Sequence, residues 1–223
     1  MNRRLVIICI VAVCILAAGS TVLAAASPDA FFQAGQFLKD ALGNKENGLQ
    51  NTNVLANYDG TPITADIVQH HKNMNILRSA EIASEMDTDY EIIHKIIESM
   101  ILLEEANRRG LSATESEIEA MVNGAIEAYS LPSGKEIIDP FLEGAGITFE
   151  EYLTMLREQA PRVIARQKLI DAVGKEYCEK NNLEFTKMNP PAALVAAQDA
   201  FIAELFEQNK HKIEYYIDIP SLS

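Results

Sequence analysis

The sequence predicts a mainly α protein, a multi-helix body with one small two-stranded pairing of its N- and C-terminal segments. Three observations predict it. Apolar residues recur at helical spacing over most of the stretch from Ile67 to Phe206, as they do in helices that turn one face to a core. Two Thr-x-x-Glu sequences, Thr114 with Glu117 and Thr148 with Glu151, read as capping boxes, in which the hydroxyl and the carboxylate each satisfy a backbone N–H of the first turn. Only Val54–Tyr58 and Ile213–Ile217 read as strands. A lone strand leaves its backbone groups without partners, so these two are expected to pair with each other.

Composition bounds the rest. The 223 residues are 48% hydrophobic and 23% charged, too apolar for a disordered chain and numerous enough for one or two domains with a buried core. Lys+Arg 19 against Asp+Glu 32 gives a net charge of −13. That charge repels phosphate backbones, so nucleic acid is excluded as an expected partner. Gly 11 and Pro 8 exclude a collagen-like or low-complexity chain, and the lack of Trp argues against a carbohydrate-binding surface.

Residues 1–26 read as an export signal or signal anchor. Arg3 and Arg4 are their only charges, Leu5 to Ala18 is apolar, and Ala24-Ala25-Ala26 offers small residues for cleavage. Leu5 to Ala26 carries no charge, and about 20 apolar residues can span a bilayer. Cleavage and retention therefore both remain open. Either outcome places the body outside the cytoplasm (secreted, cell-surface or periplasmic), because the arginines favour the inner side. Val13 before Cys14 and Ile8 before Cys9 lack the small residue a lipidation site wants. Cys178 alone remains in the exported part, so no internal disulfide is available and the core must hold the domain. Cys178 is expected to be an inert residue near a helix end.

Residues 27–53 divide into an amphipathic segment and a linker. In 29–43, Phe31, Phe37, Leu38, Ala41 and Leu42 recur at roughly helical spacing, and the segment can pack on the body or lie on a membrane. Residues 44–53 are polar, and the helical domain is assigned to 54–223. Asp59-Gly60 marks a turn and Thr64 an N-cap for a helix over about 65–85. Residues 88–109 form the strongest helix, with Ile92, Ile93, Ile96, Ile97, Met100, Ile101 and Leu103 as its apolar stripe and Gly110 as its stop. The helix opened by Thr114 turns Ile118, Met121, Val122, Ala125, Ile126 and Tyr129 inward. Pro132 to Gly146 reads as a short helix between breakers. The helix opened by Thr148 runs to about residue 179, roughly 45 Å at about 1.5 Å per residue, with Pro161 expected to kink or interrupt it. A connector over 180–190 leads to a last helix with Leu194, Val195, Phe201, Ile202, Leu205 and Phe206.

No catalytic constellation emerges. His70, His71, His94 and His211 have no metal-ligand spacing. Glu104-Glu105 and Glu150-Glu151 read as solvated faces, without the apolar surroundings that split carboxylate pKa values. No nucleophile elbow and no glycine-rich phosphate loop is present. Neither catalysis, metal nor cofactor is expected. The chemistry on offer is apolar: Met121, Tyr129, Phe141, Phe149, Tyr152 and Met155 gather around the two capping boxes, and methionine adapts its shape to varied apolar partners. For any one of them, plain core packing is the simpler reading. As a group they are the candidate peptide-binding residues.

Three stretches in order carry a resemblance: VLANYDGTPITADIV, IIESMILLEEANRRGLSATESEIEAMV and GITFEEYLTMLREQAPRVIARQKL. Together they resemble the N-terminal chaperone region of the SurA/PrsA-type extracytoplasmic foldases, over about residues 54–173. The resemblance implies a SurA-N/trigger-factor-C-like helical chaperone fold that holds unfolded or nascent exported proteins. Many relatives insert a parvulin-type prolyl isomerase domain before the closing segment. This chain has only the connector 180–190 there, too short for an isomerase fold, so no isomerase residue is carried over. The expected mechanism is reversible capture of apolar segments between helices, with acidic outer faces keeping the complex in solution and client folding driving release. The rival expectation is a membrane-proximal subunit that binds one specific envelope partner through a single apolar patch.

Overall fold

The computed structural model describes residues 31–32, 35–36, 39, 53–76, 88–187 and 190–217. The export segment, the linker 44–52 and the far end of the first expected helix lie outside these residues. The described elements run β1 (Val54–Tyr58), β2 (Thr61–Thr64), α1 (Ala65–Ile76), α2 (Asp89–Arg108), α3 (Glu115–Ser130), α4 (Pro132–Ala145), α5 (Phe149–Lys180), α6 (Ala192–Asn209), a 3-10 turn (Lys210–Lys212) and β3 (Ile213–Tyr215). Before them, residues 31, 32, 35, 36 and 39 are helical. The protein is thus mainly helical with a small antiparallel sheet.

That sheet has three strands, in the order β2-β1-β3, where the sequence reading expected two. The expected pair forms: β3 lies antiparallel to β1, with Ala56 opposite Tyr215 and Tyr58 opposite Ile213, and it ends at Tyr215 rather than Ile217. The third strand comes from Thr61–Thr64, antiparallel to β1 with Tyr58 opposite Thr61. Asp59 and Gly60 both have positive φ, 48° and 81°, the backbone of a two-residue hairpin turn whose twist matches the flanking strands. Asn57 Oδ1 accepts the Gly60 N–H at 2.8 Å. Pro62 lies in β2, an edge strand with a ladder on one side only, where proline is tolerated.

Three capping boxes open helices. Those at Thr114 and Thr148 were expected, and a third joins Thr88 to Glu91 at the start of α2. On α2 the buried stripe is Ile92, Ile93, Ile96, Ile97, Ile101, Leu102 and Ala106. Leu102 takes the buried place expected of Leu103, because 3.6 residues per turn drift the core-facing line around the helix. Ile126 on α3 is exposed, although its spacing assigned it inward. Gly146 closes α4 with φ 67°, and Gly110 follows α2 with φ 69°.

The longest helix, α5, runs 32 residues, Pro161 included, without a break. It packs against α2, α3 and α6 and links two hydrophobic clusters. Its C-terminal half contributes Ala165, Leu169 and Val173 to a cluster with the sheet, α1, α2 and Leu205 of α6. Its N-terminal half contributes Tyr152 and Leu156 to a second cluster with Val122 and Ala125 of α3, Ile138, Phe141, Leu142 and Ala145 of α4, and Phe31. Cys178 is buried near the C-terminal end of α5. Among the described residues no helix is long and apolar enough to cross a membrane.

Candidate functional site

The second cluster is where the Met and aromatic candidates meet. Thr148 accepts the Glu151 N–H at 3.2 Å and Glu151 accepts the Thr148 N–H at 2.6 Å, so the start of α5 is fixed and Phe149 and Tyr152 project from its first turn. These hydrogen bonds also hold the Glu151 carboxyl below its ordinary pKa. Thr114 and Glu117 do the same for α3. There the threonine backbone N–H, and then Lys168 reaching across from α5 at 3.1 Å, stabilise the Glu117 carboxylate. A second strut, Arg157 Nη2 to Glu119 Oε1 at 2.7 Å, ties α5 to α3.

All six candidates belong to this one cluster, but not in the same way. Phe141 and Tyr152 are buried at 5% and 3% exposure. They are core residues, the simpler reading that the sequence offers for any one of the six. Their rings meet edge-on at 6.1 Å, and helix packing from three sides leaves them no open face. Met121, Tyr129, Phe149 and Met155 are half-buried at its rim. Tyr129 stacks on Phe149 with centroids 3.9 Å apart, and Phe149 on Tyr152 at 5.9 Å. The Tyr129 hydroxyl donates to Asp139 at 2.8 Å, which raises its pKa, and Lys135 sits 5.3 Å over the same ring. The rim is therefore an apolar surface with a polar edge.

The N-terminal segment takes part. Phe31 is 4% exposed and lies in the same cluster, so of the two placements open to segment 29–43, Phe31 packs on the body. Phe37, Leu38, Ala41 and Leu42 lie outside the described residues. Backbone meets backbone at two glycines. A Cβ on Gly35 would stand 2.0 Å from the Phe141 carbonyl oxygen, and one on Gly144 would stand 1.9 Å from that of Phe32. Neither position has room for any other residue.

Sequence reasoning missed a polar network at the opposite cluster. Glu104-Glu105 was read as a solvated face, whereas Glu105 is buried at 7% exposure. Arg108 donates to it at 2.6 and 2.7 Å, and Arg109 at 2.7 Å while also reaching Glu176 at 3.1 Å. These hydrogen bonds, that of Arg108 foremost, bring the Glu105 pKa down to about 2 against the desolvation that raises it. Glu104 accepts from Tyr58 at 2.6 Å and from Lys212 at 3.1 Å, which lowers its pKa. Burial, and then Glu104, push the Tyr58 phenol far above its ordinary value. The spacing of Glu105 four residues after Ile101 on the buried face was the available signal. Glu104, Glu105, Arg108, Arg109 and Lys212 line a cavity of about 510 Å³ between α2 and α6, floored by Ile101, Phe201 and Leu205. Each of its cations already has a carboxylate partner. Among the described residues no group of three His, Cys, Asp or Glu side chains could hold a metal ion.

Comparison of the chain with protein-family models, curated proteins and solved structures returns no match.

Proposed function

We propose that this protein is an exported holding chaperone without its own prolyl isomerase domain, of the SurA-N-like kind that its three sequence stretches resemble. The observation that carries the reading is the rim of the second cluster. Four half-buried, shape-adaptable or flat side chains, Met121, Tyr129, Phe149 and Met155, surround a buried aromatic floor. They stand on helices whose ends are fixed by capping boxes. An apolar client segment laid on that rim gains roughly 25 cal/mol for each Å² of apolar surface removed from water. No directional hydrogen bond is demanded of it, so many sequences can bind. The net charge of −13 keeps the loaded protein apart from other copies and from anionic lipid heads. No nucleotide drives release. A client leaves when its own folding buries the segment, which requires weak capture at several points.

The test is light scattering from two unrelated aggregating proteins, with and without residues 27–223. Suppression of both near stoichiometric ratios is the expected result. Scattering curves that do not move, with the domain folded and helical, would sink the general chaperone and direct the search to one specific envelope partner.

A further inference from the structure

We propose that the apolar rim on α3, α4 and α5 takes apolar segments flanked by lysine or arginine. The proposal rests on the reading above for the rim itself, and it names the class of client that the reading leaves open.

The charge around the rim carries it. Residues 115–160 hold ten Asp or Glu and only two cations, Lys135 and Arg157. The ion pairs concentrate in the other half of the body: Glu98 with Arg166, Glu104 with Lys212, Glu105 with Arg108 and Arg109, and Asp171 with Lys187. Near the rim, Arg157 is taken by Glu119, and Lys168 comes from farther along α5 to Glu117. Lys135 stands over the Tyr129 ring and Lys39 beside Gly146. Among the described residues, Glu136, Asp139 and Glu143 of α4 and Glu150 and Glu158 of α5 have no ion pair, and all five are exposed.

Helix geometry puts these charges at the rim rather than on a remote face. Asp139 accepts the Tyr129 hydroxyl at 2.8 Å. Glu136 and Glu143, three residues before it and four after, share its face of α4. On α5, Met155 lies four residues after Glu151 and three before Glu158, on one face with both. Glu150 adjoins Phe149 in sequence. Carboxylates on two helices therefore border Tyr129, Phe149 and Met155. Exposed ion pairs are individually weak, but several carboxylates acting on one flexible cationic flank add up, and their mutual repulsion falls when the flank arrives. Lysine and arginine also lay their methylene stems along apolar surface while the charge stays in water. The same field excludes other occupants. A second copy of the chain carries −13 and is repelled, as is an anionic lipid surface. Acidic apolar segments are repelled too, so the rim discriminates by charge where its apolar contacts do not.

The experiment uses the full chain in nanodiscs of zwitterionic lipid, with empty nanodiscs as control. The probes are three fluorescent peptides that share one Leu- and Phe-rich core and differ only in lysine, serine or glutamate flanks. By anisotropy, the lysine peptide should bind about tenfold tighter than the serine peptide at low salt, and the glutamate peptide more weakly than either. That advantage should shrink to about twofold at roughly 0.5 M salt. Glu136→Gln, Glu143→Gln and Glu158→Gln together should cut it at least about threefold. Glu179→Gln, Glu184→Gln and Asp199→Asn, exposed positions away from the rim, change the net charge equally and should leave it intact. The proposal is overturned if lysine and serine peptides bind alike. It is overturned equally if both triple variants lose the advantage to the same extent, which would assign the preference to net charge alone. Self-association of the chain that blocks all three peptides would overturn it in favour of a second copy on the rim. Client holding is measured alongside. Peptide selectivity without holding would remove the chaperone reading and leave the basic-segment site standing, whereas holding without selectivity would do the reverse.

Discussion

Glu105 shows how one side chain can look solvated in sequence and be structural in the fold. It continues the buried line of α2, where a carboxylate survives only because Arg108 and Arg109 neutralise it. Its folded pKa of about 2 lies below the unfolded value near 4.5. The carboxylate is therefore stabilising above pH 4.5, and that contribution is lost as the pH falls toward 2. Arg108 is largely exposed, so water screens part of the interaction. Glu105→Gln is expected to cost about 2 kcal/mol at pH 7. The difference from the parent should shrink steadily between pH 4.5 and 3 in urea unfolding. A difference that stays constant with pH would show that the ion pair is not its source.

At the scale of elements, helix ends explain more than helix interiors. Phe149 and Tyr152 reach the second cluster because Thr148 and Glu151 fix the first turn of α5 between them. Thr148→Ala removes one half of that reciprocal cap and should cost about 1 kcal/mol. It should also loosen the Tyr129–Phe149 stack, seen as faster ring flipping by NMR. An unchanged melting temperature would assign the helix start to packing instead. Pro161 was expected to kink or interrupt this helix, and it does not interrupt it. Its missing N–H would have bonded the Arg157 carbonyl on the solvent side, where water can substitute, while Leu156 on one side and Ala165 and Leu169 on the other hold the flanking turns in two cores. The hairpin shows the converse. A two-residue turn with both φ positive forces the following residues back along β1, whatever the strand propensity of Thr61-Pro62.

On the scale of the molecule, α5 is a shared spine between two clusters. Leu156 is 1% exposed in the second cluster and Leu169 is fully buried in the first. Truncating either to alanine is expected to cost about 3 kcal/mol, with different consequences. Leu156→Ala should speed amide hydrogen exchange in α3 and α4 while leaving α2 and the sheet protected, because local unfolding follows the cluster that was weakened. Uniform acceleration across all helices would show the two clusters to be one cooperative unit.

The sequence by itself determined the helices, the two expected capping boxes, the breakers at Gly110 and Gly146, and the pairing of the two ends through β1 and β3. These depend on local chemistry: hydroxyl and carboxylate three residues apart, apolar spacing near 3.6, and strands that need partners. It also gathered Met121, Tyr129, Phe141, Phe149, Tyr152 and Met155 into one group, since short connections bring consecutive helices together. Tertiary structure alone decided that Phe141 and Tyr152 are floor and the other four rim. It alone put Leu102 inside and Ile126 outside, and let Glu105 be buried beside its arginines. Above all it placed Phe31 and Gly35 on α4. Burial is a property of what lies opposite a residue, and only the folded chain brings the opposite surface within reach.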